Sequence, residues 1–491
     1  RFYGQHWKLP NLAQSGGRPA KWFKSGRPTL HVIAYTELSS AKNSDLLTKI
    51  APDVIICDEA HSVRNRTASR TKRFLRYLSE NPAVRLLAWS GTLTSRSLKD
   101  YAHLSTHALG EGSPTPAHYP VVEEWAAALD PDDFRAPPGA LLRMCTPGER
   151  ITDGFRRRLT ETPGVVTSSD AGGCHASLTI SELKVKAPSK IVTYLTGLEE
   201  TAERPDGEQL IDALQVATAA RQLSCGFFYR WRWPRKEQPP VIEAWLAARK
   251  DWHKELRDRL KHSAEHMDSP LLLTKAAIRW HDGYVHIARD EEGRETARVV
   301  IPPGTKKGPQ PTWASEHWLR WRQLRDTAQP ETDAVWVDDY LVRACVDWIQ
   351  APNEVKGRIV WYDFKAFGDA LRRALPNAVY CGPGAEGNQR LLTLTGDEAC
   401  IMSIRAHGTG KNLQKFSRNL IANPPSDGAT WEQLLGRTHR TGQMADEVTA
   451  EVFRHTESMK NAVDKARDLS AYISGTFGAQ QKLVDVARWL F

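Results

Sequence analysis

Along this chain, short runs of consecutive apolar residues alternate with segments whose apolar positions recur every three to four residues. Runs of the first kind suit strands buried on both faces, and the second kind suits helices that cover them. The alternation therefore predicts parallel sheets flanked by helices. Two zones carry it. The first holds residues 30–36 (LHVIAYT), 53–57 (DVIIC) and 84–89 (VRLLAW). The second holds residues 358–362 (RIVWY), 378–381 (AVYC), 399–404 (ACIMSI), 419–422 (NLIA) and 448–453 (VTAEVF), with helical stretches such as 367–375 between them. Both zones read as nucleotide-binding α/β lobes.

Between the zones the pattern changes. Eight of the 17 tryptophans fall at 231, 233, 245, 252, 280, 313, 318 and 321, in a stretch that also carries basic runs. Residues 230–261 hold ten Lys or Arg against five Asp or Glu, while Ile242, Trp245, Leu246, Trp252, Leu256 and Leu260 share one helical face. Core packing is the expected role of these tryptophans, with a nucleic-acid face as the alternative. Residues 291–311 read as a loop or hairpin excursion. The expected divisions are a first lobe over 1–170, a mainly helical Trp- and Arg-rich insertion over 171–330, and a second lobe over 331–491. One or two amphipathic helices over 458–491 brace that last lobe, with Trp489 and Phe491 packed.

Composition narrows the class without choosing the activity. A chain of 491 residues, 41% hydrophobic and 25% charged, is long enough for about three packed units and is neither disordered nor collagenous. No apolar run reaches the roughly 18 to 20 residues that span a bilayer, and the start RFYGQHWKLP lacks a signal-peptide core, so no membrane partner is expected. Seven cysteines, odd in number and never spaced C-x-x-C, indicate neither a disulfide framework nor a zinc site and fit a reducing cytoplasm. Sixty-seven Lys and Arg against 58 Asp and Glu give a net charge of +9, which permits a polyanionic partner. The Ala, Arg and Trp usage points to a high-GC genome, bacterial or viral.

The strongest local signal is VIICDEAHSVRN over residues 54–65. A buried strand that ends in two acids puts charge at the carboxyl edge of a parallel sheet, where such sheets place ligands. Asp58 suits Mg²⁺, Glu59 suits a water that attacks a γ-phosphate, and His61 suits a sensor of the occupied site. Some thirty residues on, Ser90, Gly91 and Thr92 end another buried strand, where small hydroxyls relay occupancy by hydrogen bonding.

The second zone carries IMSIRAHGTGKNLQ and then TWEQLLGRTHRTGQ. In the latter, Arg437 and Arg440 are three apart, on one helix face if the helix extends that far, and their guanidinium groups suit a transferring phosphoryl group. The G-T-G-K-N run, Gly408 to Asn412, is not a phosphate loop of the G-x-x-x-x-G-K-[ST] type. It lacks the first glycine and has Asn412 where a hydroxyl belongs.

Taken in order, DEAH, SGT, GTGKNLQ and QLLGRTHRTGQ resemble motifs II, III, V and VI of superfamily-2 helicases and translocases, and the HRTGQ ending is similar to the Swi/Snf branch. ATAARQLSCGFF at 217–228 resembles that branch's helix between lobes, and YDFKAFGDALRRAL resembles motif IV. The resemblance spans some 60 to 70% of the chain in ordered pieces, while residues 229–330 match nothing in it. It implies an α/β protein of two RecA-like parallel-sheet lobes that uses ATP and Mg²⁺ to move on DNA, usually duplex. Asp58 and Glu59 would be the magnesium and water-activating residues, with His61, Ser90 and Thr92 coupling ATP to DNA. Gly408, Thr409, Gly410 and Asn412 would line the motif V loop, with Gln433 beside the nucleotide and Arg437 and Arg440 as arginine fingers. Lys411 and Lys415, with Arg230, Arg232 and Arg235, are the candidate DNA contacts.

The departure from the family is upstream of Asp58, where no G-x-x-x-x-G-K-[ST] loop occurs. The first lobe is therefore expected to be incomplete, with that loop supplied by a missing N-terminal segment or a companion polypeptide. Two other functions fit the same residues: a strand-separating DNA or RNA helicase, and a catalytically weak DNA-binding scaffold with helicase-like lobes.

Overall fold

The computed structural model describes residues 31–39, 43, 45–66, 68–91, 94, 97–130, 137–167, 174–233, 238–261, 270–289, 295–306, 308–408 and 410–490. Two compact units account for the chain, residues 1–169 with 469–481 and residues 170–468 with 482–491.

In the first unit, β1 (Val54–Cys57) and β2 (Arg85–Ala88) pair in parallel, Val54 opposite Arg85 and Cys57 opposite Ala88, with the helix Ser69–Glu80 as their crossover. Strand alternation then sorts the side chains. Ile55, Cys57, Leu86 and Ala88 pack with Phe74, Leu78, Val63 and Leu104. Their neighbours Val54, Ile56, Leu87 and Trp89 stay 38% to 55% exposed. The expectation that these strands are buried on both faces is thus corrected, because the helices among the described residues cover one face only. Residues 30–36 are not a strand either. Leu30 lies outside the described residues, and the helix Tyr35–Ser39 begins where Thr36 and Glu37 interrupt the apolar run. A second core joins the helices Ala102–Leu109, Tyr119–Leu129 and Ile151–Glu161 through Tyr101, Trp125 and Phe155 to Ile473 and Phe477.

The second unit is built on seven strands: β3 (Ser177–Glu182), β8 (Arg358–Tyr362), β9 (Val379–Cys381), β10 (Ala399–Ser403), β11 (Arg418–Ile421), β12 (Glu447–Val452) and β13 (Arg488–Leu490). Between β3 and β8 in the chain come β4 (Phe227–Arg232), β5 (Tyr284–Arg289), β6 (Glu295–Ile301) and β7 (Glu331–Trp336), which form two separate antiparallel pairs. The large sheet runs β13-β3-β12-β11-β8-β10-β9, and every pairing in it is parallel. Its interior strand β8 is buried throughout. Ile359 and Trp361 enter one core with Met402, Ile421 and Ala450, while Val360 and Tyr362 enter the other with Ile401 and Leu420. The α/β architecture anticipated from the apolar runs is realised here in full.

Two boundaries differ from expectation. Strand β3, from the span assigned to an insertion, sits between β12 and β13 in the main sheet. The chain's end also adds β13 after the helix Glu457–Phe477 and a short π-helical turn, Lys482–Val486, and Trp489 packs there with its indole N–H donating to Leu483 O at 2.8 Å. Phe491 lies outside the described residues. The inserted span is mixed rather than mainly helical, since β4–β7 and β5–β6 accompany the helices Pro239–Lys261, Pro270–Asp282 and Glu316–Leu324. Its tryptophans pack on one another. Trp252 stacks on Trp313 at 5.6 Å, and Trp245 meets Trp231, Trp233 and Trp321 edge-on. Among the described residues no helix is long and apolar enough to cross a membrane, and all seven cysteines are free thiols.

Gly226 starts the β4–β7 pair at φ +92°, where a Cβ would lie 2.0 Å from Asp338 O. Both the left-handed backbone and the contact exclude a larger residue. Gly226→Ala is expected to cost about 3 kcal/mol, read as a lowered midpoint in urea unfolding; an unchanged midpoint would refute the packing described.

Candidate active site

In the first unit, β1 delivers Asp58 and Glu59 at its carboxyl end. The chain then turns sharply into a single 3-10 turn, Ala60–Val63. Glu59 makes that turn in the left-handed region, φ 53° and ψ 53°, a conformation costly for any residue but glycine. Its carboxylate lies 3.2 Å from His61 Nδ1, and the same nitrogen lies 3.3 Å from Ser90 Oγ at the end of β2. The imidazole thus stands between the acid of one strand end and the hydroxyl of the next. Thr92 lies outside the described residues.

Two residues that the motif reading did not single out hold this loop. The Tyr35 hydroxyl donates to Asp58 O at 2.8 Å, and burial, reinforced by Cys57, Asp58 and Glu59, pushes the phenol far above its usual range. It therefore remains a neutral donor. Behind the turn, His103 Nε2 lies 3.0 Å from Val63 O, and burial lowers its pKa to about 4, so the neutral ring donates to that carbonyl. No local signal marks it, since AHLSTHAL also carries Ser105, Thr106 and His107.

Asp58 is exposed, and among the described residues no group of three or more His, Cys, Asp or Glu is arranged to hold a metal ion by itself. That donor set fits Mg²⁺, which is commonly bound by one or two carboxylates and completed by water and phosphate oxygens.

The second unit carries the arginines. The helix Gly428–Thr438 is capped by Asp427, whose carboxylate accepts from Thr430 N at 3.1 Å. Asn419, buried in β11, locks the helix end: its side-chain oxygen accepts from the Trp361 indole and its amide donates to Thr438 Oγ1, both at 3.1 Å. The helix stops at Thr438, so Arg440 does not share a helix face with Arg437. His439 leaves helical geometry, and its buried ring reaches Ala176 O at 2.8 Å.

The two arginines consequently differ. Arg437 donates from Nε to Gln433 O at 2.8 Å and from Nη1 to Lys411 O at 2.9 Å, while its own carbonyl accepts from Leu413 N at 3.0 Å. It is spent on backbone. Arg440 donates to the side-chain oxygen of Asn412. Gln443 adds bonds to Phe416 O and Thr438 O at 2.9 and 3.0 Å. Residues 410–416 and 437–443 are therefore one hydrogen-bonded piece. Gly410 sits at φ +69°, and a Cβ at Gly408 would lie 2.5 Å from Ile404 O, so each glycine is required by the local backbone. Thr409 lies outside the described residues.

Of the candidate DNA contacts, Lys415 Nζ reaches Leu394 O at 3.3 Å and Lys411 is half-buried. Arg232 pairs with Glu331 and Asp333, which neutralise it, and Arg230 lies opposite Asp333 across the strand pair. Arg235 lies outside the described residues. The motif reading also passed over Asp363 at the end of β8, which accepts from Arg405 Nε at 2.6 Å and Arg221 at 3.3 Å. An acid directly after RIVWY is the same signal that marked Asp58.

No protein-family model matches the chain, and no curated protein matches it in sequence. Among solved structures it is similar to S. cerevisiae Dbp5 bound to RNA and ADP BeF3, at 16% identity and a TM-score of 0.22 over 28% of this chain. The match spans about a third of that protein, 35% of its length.

The neutral, buried state of His103 makes the first unit acid-sensitive. Its folded pKa, about 4, lies below the ordinary 6.5, so between these values the unfolded chain binds the extra proton. Stability present above about pH 6.5 is lost as pH falls toward 4, at up to about 1.4 kcal/mol per pH unit for this group. His103→Gln is expected to flatten that dependence in thermal unfolding followed from pH 7 to 4.5.

Proposed function

We propose that the chain is an ATP-dependent nucleic-acid motor of Swi/Snf type that translocates on duplex DNA. The observation that carries this reading is the placement of each motif at the carboxyl edge of its own parallel sheet, Asp58 and Glu59 after β1 and the 410–416 loop after β10, the latter bonded to the arginine segment. Exposed apolar residues on the outer face of β1 and β2 support a further layer over that sheet. In this reading the layer brings the phosphate-binding loop, which residues 1–57 do not contain, as an added N-terminal segment or a companion polypeptide.

The chain's own groups then divide the work. Asp58 holds Mg²⁺, which neutralises phosphate oxygens when bound. Glu59 orients a water and accepts its proton as that water attacks the γ-phosphate. His61 transmits the state of Glu59 to Ser90 through the short contacts it makes with both. Arg440 is the arginine finger, its guanidinium anchored by Asn412. Arg437 positions the loop through Lys411 O and Gln433 O. A DNA-binding scaffold without turnover is the second reading, favoured by the absence of a G-x-x-x-x-G-K-[ST] loop upstream of Asp58. Lost phosphate contacts of about 1.5 to 3 kcal/mol each would lower ATP affinity by orders of magnitude.

Phosphate release measured with and without duplex DNA tests the proposal. The 491 residues alone are expected to turn over ATP weakly. Supplying a strand and glycine-rich lysine loop, in cis or as a companion, is expected to give duplex-stimulated turnover that Glu59→Gln abolishes. Arg440→Ala should lower kcat by roughly a thousandfold with the fold intact, whereas Arg437→Ala should also lower the unfolding midpoint. Completed protein that binds DNA but never hydrolyses ATP would establish the scaffold instead, and displacement of a labelled strand would mark a helicase.

A further inference from the structure

Between Glu59 and Glu80 the chain carries Arg64, Arg66, Arg70, Lys72, Arg73 and Arg76 and no acidic residue. The structure places these six cations on the loop that leaves the acidic turn and on the helix Ser69–Glu80. Thr71, Phe74, Tyr77 and Leu78 face the core, which leaves Lys72 and Arg76 exposed and Arg70 and Arg73 partly so. None of this unit's ion pairs among the described residues involves Arg66, Arg70 or Lys72.

Helix physics disfavours this arrangement in the absence of an anion. Arg70 and Lys72 occupy the first turn, at the positive end of the helix dipole, with no acid there to offset them. The N-cap is Ala68, whose side chain cannot accept from the free N–H groups. Lys72 and Arg76, spaced i,i+4, lie one turn apart on the exposed face. Within the same turn, Arg70 Nε and the Thr71 hydroxyl, on a fully buried side chain, have no hydrogen-bond partner. A dense polyanion offsets the charge terms at the exposed first turn, Arg70 and Lys72 without an acid beside them. The 12-residue helix spans roughly 18 Å, the axial rise of about five phosphates on one strand of a duplex.

We infer that the helix Ser69–Glu80 and the Arg64–Arg66 loop are a backbone-phosphate contact surface for duplex DNA, an inference that rests on the motor reading and adds to it the place where the first unit grips its track. Contacts there are independent of base sequence. They also lie next to the acidic turn, because Arg64 N donates to His61 O at 3.2 Å. A phosphate bound on this loop therefore acts on the segment that carries His61.

The test uses the full chain and a 30-base-pair duplex, with binding followed by fluorescence anisotropy between 50 and 200 mM salt. Arg66→Gln, Lys72→Gln and Arg76→Gln together are expected to make the slope of log affinity against log salt shallower by about 2 to 3, near 0.9 per lost contact. Arg66→Lys with Arg76→Lys keeps the charge and should keep the slope. An unchanged unfolding midpoint separates lost contact from lost fold; if the triple variant is unstable, Lys72→Gln alone should shift the slope by about 1. A folded triple variant with the wild-type slope overturns the surface while leaving the motor reading in place. A wild-type chain that binds no duplex overturns both, and tighter binding of poly-glutamate than of duplex at equal charge overturns the assignment of DNA as the partner.

Discussion

A parallel strand has no place on a buried face for an unpaired charged side chain, so polar chemistry is expelled toward its ends. The carboxyl ends in turn are where the chain must bend back into a covering helix, and there backbone and side chains are free to address a ligand. In this protein β1 ends at Asp58 and Glu59, β2 at Ser90, β8 at Asp363, and β10 just before Arg405. Each of those strand ends is engaged with another: His61 with Ser90, Arg405 with Asp363. Each sheet acts as a frame that fixes polar groups at its own carboxyl edge, and the bonds among those groups fix their orientation.

That frame explains what could be read from the chain before its structure. RIVWY, ACIMSI and VTAEVF signalled strands because nearly every position in them is apolar or small, and β8, β10 and β12 follow with boundaries shifted by a residue at most. DEAH was legible for the same reason, as charge directly after such a run. What escaped was set by contacts distant in sequence. RWL at 488–490 has too few residues to announce a strand, and becomes β13 because β3 offers an open edge for it. Residues 30–36 have the apolar content of a strand, yet Tyr35 is drawn into a helix from which its hydroxyl reaches Asp58 O. The end of the arginine helix at Thr438 depends on Asn419, a residue nineteen positions away that no local pattern connects to it.

Charge shows the same division between local and tertiary information. The basic run FYRWRW looked available for a polyanion, but its partner strand β7 brings Glu331 and Asp333 opposite, and Arg232 is neutralised. The run from Arg64 to Arg76 instead lies on a loop and a helix with no acid in the helix's first turn. Arg437 and Arg440 look equivalent in sequence, three apart in one motif. One is consumed by carbonyls at Gln433 and Lys411, and the other is held through a single side-chain amide. Counting cations therefore says less than asking which oxygen each has already found.

The backbone at Glu59 is the sharpest case of a local rule broken. At φ 53° glycine would relieve the strain, and a turn made only to carry the chain from β1 into the next segment has no use for a longer side chain. The strain is tolerated because the turn is held on every side: Tyr35 on Asp58 O, Trp89 O on Ala60 N at 2.8 Å, and His103 on Val63 O. Those bonds over-determine the loop, and the conformation they impose puts the Glu59 carboxylate within reach of His61. A glycine would keep the turn and lose the carboxylate. The carboxylate is therefore what the surrounding structure is arranged to hold, an observation that supports the role proposed for Glu59.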